Sequence, residues 1–268
     1  MMKKQIQTST LLAIVIFSVA CGPNDKTSSF DSGSGFDLCI GSCPDVKRGN
    51  MLVNREIYKL SNNPKTKFAD WVAYRVSPSS IGPSKTRNWK PDPDLPKGST
   101  LEPSDYKGAN DKLEIDRGHQ VPLASFANTE HWKETNYLSN ITPQRSDLNQ
   151  GPWGYLEQKV RNLTKDRYRY TWVISGPVYE YFLGELPEAD ETHLVPSGYW
   201  KVVGIVNDGE ISIASFFFDQ ETSRESDICD HLEPLSTIEK RSKLDLLSDY
   251  KALELNRNDF AAEELGCI

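Results

Sequence analysis

The triplet Asn207-Asp208-Gly209 lies between two β-rich apolar runs, Tyr199–Val206 and Ile211–Phe218. It restricts the fold more than any other feature of the chain. Asn, Asp and Gly tolerate the positive φ angles of a tight primed turn, so the segment reads as a β-hairpin and commits the chain to antiparallel pairing. Glu56–Leu60, Trp71–Val76 and Tyr170–Ser175 add further strand-like runs. Asn149–Leu163 reads as a helix: Pro152 suits its first turn, and Trp153, Leu156, Val160 and Leu163 form an apolar stripe at helical spacing. Thr237–Leu247 and Asp249–Leu255 read as helices too. Strands and helices mix without regular alternation, which predicts an α+β domain rather than a doubly wound parallel sheet. Glycine-rich loops of the kind that cradle nucleotide phosphates are missing from the sequence.

The N-terminus is read apart from the domain. Lys3 and Lys4 precede Leu11–Ala20, an apolar run too short to span a bilayer, so residues 1–20 read as an export signal. Ser18-Val19-Ala20-Cys21 resembles a bacterial lipoprotein signal, cleaved before Cys21 and lipidated there, although Ser18 stands where Leu is usual. Plain cleavage near Ala20 and free secretion is the alternative. Residues 21–36, polar and rich in Gly and Ser, read as a flexible tether, and 37–268 as the folded domain. The expected location is the periplasm or outer membrane, or the medium. With Cys21 lipidated, Cys39, Cys43, Cys229 and Cys267 remain. An oxidising compartment permits two disulfides among them. Cys39 with Cys43 would close a tight loop, and Cys229 with Cys267 would pin the C-terminal tail. Three pairings are open, with zinc as a competitor lacking a second close Cys or His pair.

The net charge is −7, awkward for a partner that is a polyanion. The distribution is uneven: 45–90 holds ten Lys or Arg against three Asp or Glu, and 205–268 holds six against fifteen. A basic surface on the first stretch is one reading, and ordinary solvated faces are the plainer one.

The chemistry concentrates in a few motifs. Of the four histidines, His119 alone closes a distinctive tetrapeptide, Asp116-Arg117-Gly118-His119. Asn149 follows thirty residues on, then Glu157 and Arg161. Arg87-Asn88-Trp89-Lys90-Pro91-Asp92, Tyr137–Gln144, Leu148-Asn149-Gln150-Gly151, Val195-Pro196 and Tyr199–Val203 complete an ordered set. This set resembles the ββα-metal, DNA/RNA non-specific endonucleases of Serratia type, from about Leu52 to about Leu255.

The resemblance implies a central antiparallel sheet flanked by helices and a hydrolase that cuts DNA and RNA without sequence preference. It implies His119 as general base, Asn149 as the protein ligand of Mg²⁺ (with Mn²⁺ as a substitute), and Glu157 acting on the metal through water. Arg87 and Arg161 would grip the phosphate, Asn136 and Asn140 would support the site, and Asp116 would be structural.

The chemistry agrees. A neutral imidazole accepts a proton near pH 7, Mg²⁺ takes oxygen ligands and keeps waters, and guanidinium forks suit phosphate. In a single helix, Asn149 and Glu157 would stand roughly 12 Å apart along the axis, which predicts an outer-sphere role for Glu157. Trp89 and Trp153 could stack on bases, but core packing beside the site is expected of both. Two other readings remain: an inactive nucleic-acid-binding lipoprotein, which has no need of this full residue set, and a phosphodiesterase for small nucleotides.

Overall fold

The computed structural model describes residues 38–83, 85–207, 210–248 and 260–267. The signal, Cys21, the tether and the expected helix at 249–255 lie outside the described residues. Six strands form one antiparallel sheet: β1 (Met51–Asn54), β2 (Lys59–Asn63), β3 (Phe68–Val76), β6 (Thr171–Val178), β7 (Gly198–Asn207) and β8 (Glu210–Asp219). The expected hairpin is present, with β7 and β8 paired from Gly198↔Asp219 to Asn207↔Glu210. A second sheet is a two-stranded ribbon of β4 (Ile115–His119) and β5 (Ile141–Arg145), the register running from Ile115↔Arg145 to His119↔Ile141.

The inner strands β3 and β7 are buried almost along their whole length, so both faces of the main sheet must be covered. Helices α1 (Ala109–Leu113) and α2 (Leu123–Phe126) precede and follow β4, and one face of the main sheet packs against α4 (Pro152–Asp166). Its stripe Trp153, Leu156, Val160 and Leu163 meets Val72, Tyr74, Val173, Tyr199 and Phe218. The other face is covered by Ile40, by Ile238 of α5 (Leu235–Ser242), and by Leu244, Leu246 and Leu247. Each such aliphatic or aromatic side chain contributes roughly 1.5–3 kcal/mol by leaving water. The ribbon has its own small core, where Ile115, Leu138 and Ile141 join Phe68, Leu101, Tyr106 and Val195.

Three expected elements differ. The strand expected over Glu56–Leu60 begins only at Lys59. Asn54 pairs with Lys59, so residues 55–58 form the turn, and Ile57 and Tyr58 look strand-like because they are buried at that corner. The helix expected over Asn149–Leu163 is two helices, α3 (Ser146–Gln150) and α4, broken at Gly151 (φ −98°, ψ −119°). A Cβ at Gly151 would lie 2.5 Å from both Arg224 O and Asp147 O, so only glycine fits. The helix expected over Thr237–Leu247 stops at Ser242, because Lys243 turns left-handed (φ 58°) and the leucines beyond it pack as an irregular segment.

The four cysteines form two disulfides. Cys39–Cys43 closes a loop in the second core, and Cys229–Cys267 ties the 3-10 helix Ile228–His231 to the end of α6 (Phe260–Glu264). Among the described residues no helix is long and apolar enough to cross a membrane.

Candidate active site

The ribbon and the two helices that follow β5 form one local unit. His119 ends β4, Asn149 lies on α3, and Glu157 and Arg161 lie on α4. All four line a single cleft of about 530 Å³, together with Arg87, Trp89, Arg117 and Asp116. The predicted residues therefore converge, apart from Asn136 and Asn140, which stand behind His119.

Gly118 is required by packing. A Cβ there would lie 2.4 Å from Gln144 Oε1 and 2.7 Å from Gln144 Cβ, on the facing strand. Next to it the His119 ring is half-buried. Its Nε2 lies 3.3 Å from Asn136 Oδ1, its carbonyl accepts from Trp153 Nε1 (3.3 Å), and the Trp89 ring is 5.2 Å away. An amide oxygen only accepts, so Nε2 carries the proton and Nδ1 keeps its lone pair. Burial, and then the positive charge of Arg87, push the His119 pKa down to about 4, against the opposing effect of the hydrogen bond to Asn136. The imidazole is therefore neutral at pH 7.

Asn140 clasps the chain just beyond His119. Its Oδ1 accepts from Val121 N (2.8 Å), and its Nδ2 donates to Val121 O (3.0 Å) and Thr135 O (2.9 Å). That joins the end of β4 to the 3-10 helix Trp132–Asn136, and so fixes Asn136 relative to His119.

Asp116 gathers side-chain donors from two helices. Asn110 Nδ2 (2.8 Å) and Ser146 Oγ (3.0 Å) reach Oδ1, while Asn149 Nδ2 (2.8 Å) and Gln150 Nε2 (2.8 Å) reach Oδ2. The carboxylate thereby turns the amide nitrogen of Asn149 inward and leaves its carbonyl oxygen as a donor for a cation. An amide oxygen backed by a nearby carboxylate suits a hard divalent ion.

Glu157 is 14% exposed. Its Oε2 lies 3.9 Å from Arg161 Nη1 and its Oε1 lies 3.7 Å from Lys201 Nζ. Burial raises its pKa, and the two cations oppose the rise. Lys201 has no exposed surface and stands 3.8 Å over the Trp153 ring; burial pulls its pKa down to about 8 while Glu157 resists. The break at Gly151 removes the premise that Asn149 and Glu157 share one helix axis, so their spacing along a helix does not decide how Glu157 acts. Trp153 is a core residue, as expected, whereas Trp89 is half-buried and faces the cleft.

Two charged residues escaped the sequence reading. Arg117 lines the cleft between Trp89 (5.8 Å) and Tyr106 (5.1 Å), with Nη2 on Pro103 O. Lys201 was hidden in a β-rich run; a lysine within an otherwise buried strand was the available signal. The basic run 45–90 does not form one face. Arg55 is buried against Asp92 and Asp94, Lys47 pairs with Asp70, and Arg75 stacks on Tyr170, while Arg87 reaches the cleft. Among the described residues, one cluster of carboxylates could hold an ion, Asp105, Asp190 and Glu191, and none of the three lines the cleft.

The family model for DNA/RNA non-specific endonucleases matches residues 44–253. The nuclease of Serratia marcescens is 43% identical over 247 residues, covering 90% of this chain and 92% of that protein. Mitochondrial endonuclease G of Bos taurus is 30% identical over 217 residues, covering 72% and 68%. A chain in the crystal structure of the EndoG/EndoGI complex superposes with a TM-score of 0.62 at 22% identity, covering 73% of this chain and 85% of that one, and shares its fold.

Proposed function

This chain belongs to the DNA/RNA non-specific endonuclease family, a metal-dependent hydrolase fold, and from that premise we propose how its cleft cuts a phosphodiester. The carrying observation is His119. Its Nε2 is committed to Asn136 and its pKa is depressed to about 4, so the ring is neutral at pH 7 and Nδ1 keeps a lone pair to accept a proton. His119 takes a proton from a water as that water's oxygen attacks phosphorus. The bond from phosphorus to the departing oxygen then breaks.

Asn149 would hold Mg²⁺ through its carbonyl oxygen, oriented by Asp116, and Mn²⁺ fits the same donor. When bound, the ion would supply Lewis-acid charge to the phosphate. Glu157 acts in the outer sphere: its carboxylate is already engaged by Arg161 and Lys201. Arg87 and Arg161 line the cleft and offer permanent charge to the phosphate. Contacts to phosphate carry no base information, which supports cleavage of DNA and RNA alike.

Two disulfides support export to an oxidising compartment. We assign residues 1–20 to the signal, Cys21 to lipidation, 21–36 to the tether and 37–268 to the catalytic domain. A Cys21→Ala variant released from membranes would support the anchor, and unchanged fractionation would remove it.

The deciding experiment is plasmid digestion by the purified domain with Mg²⁺, with EDTA, and with His119→Ala. Fragmentation only by the unmutated protein with metal is expected. Equal cleavage by the variant would overturn His119 as the base. Cleavage of a small diester as readily as plasmid would favour a nucleotide phosphodiesterase.

A further inference from the structure

Lys201 stands near the middle of β7 and is fully buried. Its ammonium lies 3.7 Å from Glu157, beyond hydrogen-bond length, and has no hydrogen-bond partner. Arg161 Nη1 is 3.9 Å from the other oxygen of the same carboxylate, and it too is buried without a hydrogen bond. One carboxylate therefore faces two cations, and this cluster carries a surplus positive charge. Buried surplus charge costs stability, and apolar replacement of buried ionic groups is often neutral or stabilising. Neutralising Glu157 for the sake of the fold would need one cation only.

The two cations differ in what else they can reach. Arg161 lines the cleft; Lys201 does not, because it lies behind Glu157 with the Trp153 ring against its ammonium. We propose that Lys201 is a positioning residue for phosphodiester cleavage: it holds the Glu157 carboxylate from the sheet side and so leaves Arg161 free to turn to the phosphate. This rests on the reading of Glu157 as an outer-sphere partner of the metal. Without Lys201, Arg161 has to serve the carboxylate and the substrate together. Glu157 then follows Arg161 and loses its fixed aim toward the metal site.

The test uses the disulfide-intact chain with Lys201→Met, Lys201→Arg, Glu157→Gln and the double variant Lys201→Met/Glu157→Gln. Lys201→Met is expected to fold with a melting temperature no lower than that of the unmutated chain. Its affinity for Mg²⁺ alone, measured by calorimetry without substrate, is expected to fall about tenfold or more, and kcat on plasmid to fall similarly. Lys201→Arg should recover part of both losses. In the Glu157→Gln background, Lys201→Met should weaken Mg²⁺ binding no further, because the two residues act as one unit.

Unchanged Mg²⁺ affinity in Lys201→Met and Lys201→Arg overturns the proposal. So does an equal loss in the Glu157→Gln background, or a lowered melting temperature with metal affinity intact, which marks a merely structural lysine. Failure of the unmutated protein to cut plasmid would sink the endonuclease reading instead, and the calorimetric comparison would still report on Lys201.

Discussion

The proposed mechanism makes His119 the base, and the environment of its ring sets a pH window. The folded pKa of about 4 lies below the ordinary histidine value near 6.5. The base form therefore persists in the protein under mildly acidic conditions. In a profile of kcat/KM against pH, the acid limb belonging to His119 should fall well below 6.5; a limb centred at 6.5 would contradict the depressed value. Stability carries the same sign. Between 6.5 and 4 the unfolded chain takes up a proton that the folded chain refuses, so the contribution of this group is complete above about 6.5 and is lost as pH falls through 4. His119→Ala should remove about 10²–10⁴-fold of the rate and flatten acid unfolding across that window. Asp116 is the second residue to test. Asp116→Ala leaves the Asn149 amide without its acceptor, and Mg²⁺ affinity should drop about 10–100-fold with His119 untouched.

Legibility at this scale was uneven. The tetrapeptide and the Asn149, Glu157, Arg161 series lie in contiguous motifs that carry a family resemblance, and the resemblance made them legible. Arg117 stood inside the quoted motif, yet its cleft position depends on Tyr106 and Trp89, which only folding brings to it. Lys201 was read as strand because its neighbours are β-formers; the carboxylate that explains it lies on α4, across the sheet face.

At the scale of elements, the ribbon, α3 and α4 work because two glycines allow close contact. Gly151→Ala would drive a Cβ against the backbone of Arg224 and Asp147. The cost should be about 1–3 kcal/mol, read as a lower urea midpoint at unchanged m. Mg²⁺ affinity should fall with it, because Asn149 lies at the end of α3 beside the break. Gly118→Ala should act likewise through Gln144, whose side chain has somewhat more freedom to move. The break at Gly151 was illegible because one of the two contacts requiring it comes from Arg224, far along the sequence. The β7–β8 hairpin was legible because its turn chemistry and its apolar runs are contiguous.

For the whole molecule, the disulfides divide their effects by position. Cys229–Cys267 closes a sequence separation of 38 residues and holds α6 against β8. Replacing both cysteines with serine should lower stability by about 2–4 kcal/mol. Cleavage activity at low temperature should be retained, since the cleft is built elsewhere. The Cys39–Cys43 loop spans only four residues and should matter less.

The ladder between β3 and β6 shows how the molecule is put together. Val76 pairs with Thr171, and everything from Ser77 to Tyr170 leaves the sheet and returns between these two neighbours. That single excursion holds His119, Asn149, Glu157 and the two arginines proposed to grip the phosphate, Arg87 and Arg161. The sheet is thus a chassis, and the excursion carries the reactive parts together with α4, the helix that covers one face of that sheet; a short turn joining Val76 to Thr171 would take away the candidate site and uncover the core at once. Lys201 is the exception, the one component of the machinery that the chassis itself supplies.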